Sequence, residues 1–187
     1  MRHEPAYQPI TVETFLSLDF GTDKKFELVD GVIQMMTGGT RAHARVAINI
    51  ISYLAQKLRG SGCRPYGSDA AIRIDDINLR YPDVSVMCEE PPLPETDTLK
   101  LFERPKVIFE VLSPSTEAND VGKKLDEYRR LDSIDTIVFV NPVSELARVV
   151  QRLGPTSWRD DLFAQPQDVA LPSLGITLPH AEIFARD

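Results

Sequence analysis

The sequence predicts an α/β or α+β fold built on a mixed β-sheet, and three observations carry that prediction. Asp30-Gly31 sits between two short apolar runs, which is the mark of a tight β-hairpin. A strongly apolar strand, a helix and a second apolar strand follow one another between Lys106 and Val140, which suggests a βαβ crossover and a partly parallel sheet. From Glu145 onward the chain reads as short strands and turns, ending in a short helix near Phe184.

Taken in order, Thr11 is placed to cap a short helix with Val12, Phe15 and Leu16 on one side. Phe26–Val29 and Val32–Met35 then flank the Asp30-Gly31 turn, whose two central residues need positive φ. After Gly38-Gly39, Thr40 caps a long helix to about Arg59, with His43, Ala47, Ile50, Leu54 and Leu58 at helical spacing on an inward stripe. From Cys63 the pattern turns to strands, with Ala70–Ile74 and Asp83–Met87 the clearest. Pro91, Pro92 and Pro94 make a polar loop. Lys106–Leu112 is the strongest strand, Ser113–Thr116 breaks it, and a helix runs to about Leu131 with Val121, Leu125, Tyr128 and Leu131 on its apolar side. Asp135–Val140 is a second buried strand, closed by Asn141-Pro142.

Composition bounds the function. A chain of 187 residues fits one domain, 1–187, and its 42% hydrophobic and 26% charged residues exclude disordered, collagen-like and coiled-coil classes. No apolar run approaches the roughly 20 residues that cross a bilayer, so no membrane association is expected. The first segment carries Glu4, Glu13 and Asp19 and is not read as a signal peptide. Two cysteines, Cys63 and Cys88, build neither a disulfide framework nor a zinc site, so a reducing cytoplasm is the expected location. A net charge of -7 argues against a protein that coats duplex DNA by neutralising phosphates. It leaves room for a nuclease, whose centre is acidic because it must hold metal.

Glu110 is the most informative residue. Ile108 and Leu112 share its face of the strand while Val107, Phe109 and Val111 cover the other, so the strand is central and the carboxylate partly buried. Such a charge costs several kcal/mol unless a cation or strong donors compensate it. A metal is one source of compensation; an arginine such as Arg73 is the plain alternative. Asp83, after Pro82 at a strand start, is alone no more than a turn residue. Beside Glu110 it becomes the second carboxylate of a pair, and Mg²⁺ prefers one or two carboxylates with waters and phosphate oxygens. Lys124 borders the apolar side of its helix and can reach the end of the Glu110 strand, whereas Lys123 points to solvent; an Asp120–Lys124 pair on the helix surface is the bland reading. Glu27 and His43 read first as an exposed strand residue and a core histidine. The histidines show no metal-ligand spacing, Ser113 and Ser115 lack a Gly-x-Ser-x-Gly context, and Gly38-Gly39 lacks a Walker lysine.

These residues together resemble a known group. Glu27 in FELVDG, His43 after the hairpin, Asp83 in YPDVSV, Glu110 in FEVLSPST, and Asp120, Lys124 and Tyr128 in DVGKKLDEY are similar to the Uma-two family, restriction-endonuclease-like proteins of the PD-(D/E)XK nuclease superfamily. The match spans roughly Phe26 to Pro142. The resemblance implies a restriction-endonuclease-like mixed β-sheet core, about 26–142, flanked by helices, with an N-terminal β-hairpin and a β-rich C-terminal extension. It implies Asp83 and Glu110 as metal ligands, the Val111 carbonyl as a further ligand, Glu27 as the carboxylate of the early element, and His43, Asp120 and Tyr128 in support. The superfamily's Glu-x-Lys pattern would put lysine at position 112, where this chain has Leu112; the helical Lys124 matches the family's relocated lysine. Ile134–Val138 stands where an aromatic-rich segment is usual, a change of packing rather than of site.

The leading expectation is Mg²⁺- or Mn²⁺-dependent hydrolysis of phosphodiester bonds in DNA, with a homodimer as the natural way to cut both strands. Arg41, Arg45, Arg73 and Arg80 are candidates for a basic rim. The alternative is a catalytically inactive nuclease-fold scaffold for dimerisation or nucleic-acid binding, toward which the net charge and Leu112 lean. A hydrolase of small phosphoesters shares the metal logic and differs only in substrate.

Overall fold

The computed structural model describes residues 8–88, 101–113 and 119–186, without the side chains of residues 119 and 120. Helix α1 (Val12–Ser17) opens the described chain, and the Thr11 hydroxyl accepts a hydrogen bond from the Thr14 amide as its cap. Strands β1 (Phe26–Val29) and β2 (Val32–Met35) form the expected hairpin. Asp30 has φ +50° and Gly31 φ +71°, the geometry that makes Asp-Gly the favoured turn. A Cβ on Gly31 would clash with Pro9, so the turn is also closely covered. Helix α2 (Arg41–Lys57) follows, capped by Thr40, whose hydroxyl accepts from the His43 amide.

The strands then come in quick succession: β3 (Cys63–Gly67), β4 (Ala71–Arg73), β5 (Leu79–Arg80), β6 (Val84–Cys88), β7 (Leu101–Phe102) and β8 (Pro105–Val111). Helix α3 (Asn119–Arg129) crosses to β9 (Thr136–Asn141), which is followed by β10 (Leu146–Gly154), β11 (Ser157–Leu162), β12 (Val169–Leu171), β13 (Ile176–Leu178) and helix α4 (His180–Phe184). The predicted loop at Pro91, Pro92 and Pro94 and most of the Ser113–Thr116 break lie outside the described residues.

Three sheets result among the described residues. The central one runs β11-β10-β9-β8-β6-β3, the second β2-β1-β5-β4-β7, and β12 pairs with β13 alone. In the central sheet β8 and β9 are parallel and every other pair is antiparallel. A parallel pair needs a crossover, and α3 supplies it, as the strand–helix–strand pattern requires. The tail is more regular than its sequence suggests, since β10 is nine residues long and pairs with β9 on one side and β11 on the other.

The period-two reading of β8 holds. Val107, Phe109 and Val111 enter a core with Val46, Ile50, Leu54 and Leu58 of α2. Ile108 and Leu112 enter the opposite core with Leu125 and Tyr128 of α3 and Ile137 and Phe139 of β9. Ile134, in the segment that departs from the family pattern, is fully buried in this second core. A third, smaller core joins Val12 and Phe15 of α1 to Leu28, Ala71 and Leu79 under the second sheet.

Cys63 and Cys88 are directly opposed on β3 and β6 and are joined by a disulfide. Their small number predicts no disulfide framework and a reducing compartment. The cross-strand register overrides the count, because it sets two cysteines 25 positions apart face to face. No helix among the described residues is long and apolar enough to cross a membrane.

Candidate active site

The site is assembled where β6 and β8 run side by side. Val84 pairs with Phe109, so Asp83 and Glu110 stand one residue beyond that pair on adjacent strands. Asp83 sits just before β6, where Pro82 ends the preceding segment, and Glu110 lies inside β8 with a residue exposure of 5%. The two acids are near enough that the charge of Asp83 discourages ionisation of Glu110.

Each carboxylate is already held at both oxygens. Asp83 Oδ1 is 2.8 Å from His43 Nε2, and Oδ2 accepts a 2.7 Å hydrogen bond from the Val111 amide. Because a carboxylate accepts and does not donate, His43 Nε2 carries the proton. Glu110 Oε2 accepts from Lys124 Nζ at 3.0 Å and Oε1 from the Tyr128 hydroxyl at 2.5 Å. Helix periodicity explains this pairing, since residues 124 and 128 are one turn apart and point to one side. Lys123, one residue earlier, instead reaches the hairpin turn and bonds Asp30 at 2.6 Å.

Electrostatics follow from these contacts. Burial pushes the Glu110 carboxyl above the usual carboxylate range, opposed by Lys124 and reinforced by Asp83. Burial and the Glu110 charge together push the Tyr128 phenol well above its ordinary value. The hydrogen bond to Asp83 raises the His43 imidazole above its ordinary 6.5 despite partial burial, and the Asp83 and Glu110 charges add to the rise. His43 Nδ1 is buried and has no hydrogen-bond partner in the described structure. Its ring lies against Gly39, where a Cβ would come within 2.7 Å of Cγ and Cδ2. The Gly-Gly pair, which has no phosphate-binding context, thus has a packing reason at its second position.

Glu27 does not face the pair as an open ligand. Its Oε1 lies 2.9 Å from Arg80 Nη1. Arg80, only 2% exposed, also donates from Nε and Nη2 to Glu127 of α3 at 2.7 and 2.9 Å. Two carboxylates outweigh the cost of burying this guanidinium and raise its affinity for the proton. The expected basic rim is corrected accordingly. Arg80 is an interior counter-charge, and Arg73 is engaged by Glu13 at 2.6 Å and Asp76 at 2.8 Å. Arg73 therefore does not compensate Glu110 either. Asp120 lies in the first turn of α3, with its side chain outside the described set.

Sequence reasoning missed Glu127 and the interior role of Arg80. Glu127 carried a readable signal, because it stands three residues after Lys124 and beside Tyr128 on the site-facing side of α3.

Hard oxygen donors suit Mg²⁺ and Mn²⁺, and the Asp83–Glu110 pair provides them. A carboxylate has about four acceptor positions, so an added contact is compatible with the bonds each acid makes. Among the described residues no group of three or more His, Cys, Asp or Glu side chains is arranged to hold a metal ion. The fit is to an ion that keeps waters and takes phosphate oxygens for the remaining positions.

A mixed sheet with an acid at the mouth of one central strand, a second acid on its neighbour and a lysine from the crossover helix defines a restriction-endonuclease-like fold. Residues 12–181 match the Uma2 family, described as "Putative restriction endonuclease", and the chain belongs to that family. It is 28% identical over 178 residues to the uncharacterized protein slr1290 of Synechocystis, covering 94% of this chain and 92% of that one. It is 24% identical over 150 residues to the uncharacterized protein sll1609 of the same organism, covering 80% and 84%. Among solved structures it is similar in fold to one described as a putative nuclease belonging to DUF820 from Anabaena variabilis, with a TM-score of 0.78, 20% identity, and coverage of 95% and 98%.

Proposed function

We propose that this protein is a divalent-metal-dependent nuclease that hydrolyses phosphodiester bonds in DNA. The observation that carries the reading is the convergence of Asp83, Glu110 and Lys124 at the β6–β8–α3 junction, supported by membership of the Uma2 family. Asp83 and Glu110 are the residues that would hold Mg²⁺ or Mn²⁺, with the Val111 carbonyl as an added donor. A bound ion of this kind supplies a Lewis acid for the phosphate and a water of lowered pKa.

The chain's own groups do the rest. The Lys124 ammonium, anchored on Glu110, orients the attacking water and offsets charge on the pentacovalent phosphorus. Tyr128 fixes the second oxygen of Glu110 so that the carboxylate cannot rotate. His43 does the same for Asp83. Glu27 acts through Arg80 and Glu127 on α3, the helix that carries Lys124 and Tyr128. Arg41, exposed on the first turn of α2 two residues before His43, would contact backbone phosphates. Cutting both strands of a duplex takes two such sites, which two copies of the chain would provide.

Incubation with plasmid or single-stranded DNA and Mg²⁺ or Mn²⁺ tests the reading. Cleavage is expected, and its survival in the Asp83→Ala/Glu110→Ala double variant would remove the assignment. A second reading, the inactive scaffold, is favoured by one observation: Glu110 is already neutralised by Lys124 without any ion. A Mn²⁺ titration separates the two, since a folded protein with no affinity for the ion is a scaffold.

A further inference from the structure

Arg80 sits on a two-residue strand in the second sheet, yet its guanidinium meets the helix that serves the central sheet. The contact with Glu127 is bidentate, through Nε and Nη2, so it fixes orientation as well as distance. Lys124, Glu127 and Tyr128 stand at positions i, i+3 and i+4 of α3 and therefore share one face. The same face carries both groups that hold Glu110. On its other side Arg80 is paired with Glu27, on β1. The three charged side chains are 2%, 3% and 16% exposed, for Arg80, Glu127 and Glu27. The charges of Arg80 and Glu27 also act on the Tyr128 phenol, the group that donates to Glu110. A further tie between α3 and the hairpin, Lys123 to Asp30, is exposed and has no such reach into the interior.

We propose that Arg80 is a positioning residue: clamped between Glu27 and Glu127, it sets the face of α3 that delivers Lys124 and Tyr128 to Glu110, and it keeps Glu27 as a counter-charge rather than an ion ligand. The proposal rests on the reading of Asp83 and Glu110 as the working pair. It assigns the carboxylate of the early hairpin to an internal electrostatic joint between the second sheet and α3. Lysine cannot replace Arg80, because a single ammonium lacks the planar fork that engages both oxygens of Glu127.

Three variants test it, with Lys123→Ala as the control for an ordinary tie between α3 and the hairpin. Arg80→Lys is expected to lower kcat for DNA cleavage roughly 10- to 100-fold with KM unchanged, the effect typical of losing a group that orients a ligating residue. It is also expected to shift or abolish the hydroxyl proton resonance of Tyr128, which the short bond to Glu110 places downfield of the amides in the proton NMR spectrum. Lys123→Ala should change neither. Glu27→Gln should bind Mn²⁺ as the wild type does, whereas Glu110→Gln should not.

Should Arg80→Lys fail to fold, the triple variant Glu27→Gln/Arg80→Met/Glu127→Gln removes all three charges and leaves none unpaired. It is expected to melt near the wild type and still lose the Tyr128 resonance and the rate. An unchanged resonance and kcat in a folded Arg80→Lys or triple variant would overturn the positioning role. Weakening of Mn²⁺ binding in Glu27→Gln to the level of Glu110→Gln would overturn the assignment of Glu27. If the wild-type protein neither cleaves DNA nor binds Mn²⁺, the nuclease reading fails by itself, and the Tyr128 resonance alone decides whether Arg80 sets the helix.

Discussion

The two faces of the central sheet are built from different materials. Toward α2, the core is aliphatic and aromatic throughout, with Val46, Ile50, Leu54 and Leu58 packed on Val84, Val86, Val107 and Phe109. Toward α3, apolar packing from Ile108, Leu125 and Ile137 is interrupted by a seam of buried polar groups: Glu110, Tyr128, Arg80 and Glu127. Burying charge is unfavourable unless each group is paired, and here each has a partner within 3.0 Å. One face is therefore arranged for stability, while the other carries groups whose burial is hard to explain by packing alone. Chemistry is expected on the second.

The largest effect is expected from breaking the seam. Arg80→Ala leaves Glu27 and Glu127 without their cation, and denaturant unfolding should show a loss of about 3–5 kcal/mol. An effect below about 1 kcal/mol would mean that the seam is not held as a unit. On the apolar face, Leu54→Ala should cost about 2–5 kcal/mol through the cavity it opens. Mn²⁺ binding should be untouched by Leu54→Ala, because Leu54 lies about three turns along α2 from His43, the residue of that helix bonded to Asp83; a parallel fall in affinity would erase the distinction between the faces.

Glu110→Gln sharpens the contrast from the other direction. Its amide oxygen can still accept from Lys124 or Tyr128 but no longer offsets the Lys124 charge, so stability should fall by about 1.5–3 kcal/mol. Calorimetric titration with Mn²⁺ should nevertheless show binding largely lost. The smallest effect concerns His43. Its NMR titration midpoint should lie above 6.5 and fall toward 6.5 in Asp83→Asn. Because the folded value is raised, the His43–Asp83 bond contributes its stability fully below pH 6.5 and loses it as pH rises through the folded midpoint. A midpoint that does not respond to Asp83→Asn would show that another group protonates the ring.

What the sequence made legible was local. The Asp30-Gly31 turn could be read because its conformation is dictated by two adjacent residues. The two faces of β8 could be read because alternation within one strand decides them, and the choice of Lys124 over Lys123 because helix spacing does. The Arg80 clamp could not be read this way. It joins residues 47 and 53 positions apart through a strand of only two residues, whose pattern carries no periodicity. In the linear chain Arg73 was the partner named for Glu110 and Arg80 only a candidate for a basic rim, and tertiary placement sent the first to surface pairs and the second to the interior. The Cys63–Cys88 bond was hidden for a related reason, since its partners are neighbours only once β3 and β6 are in register.

That bond bears on how the protein should be handled. The β6 ladder begins one residue after Asp83 and is riveted at its far end to an edge strand by sulfur. Nuclease assays customarily include a thiol reagent, and in such a buffer the edge of the sheet is secured by backbone pairing alone. Comparing cleavage with and without dithiothreitol would therefore report on a reduced and an oxidised form of the same molecule, and a silent result in one buffer should be checked in the other.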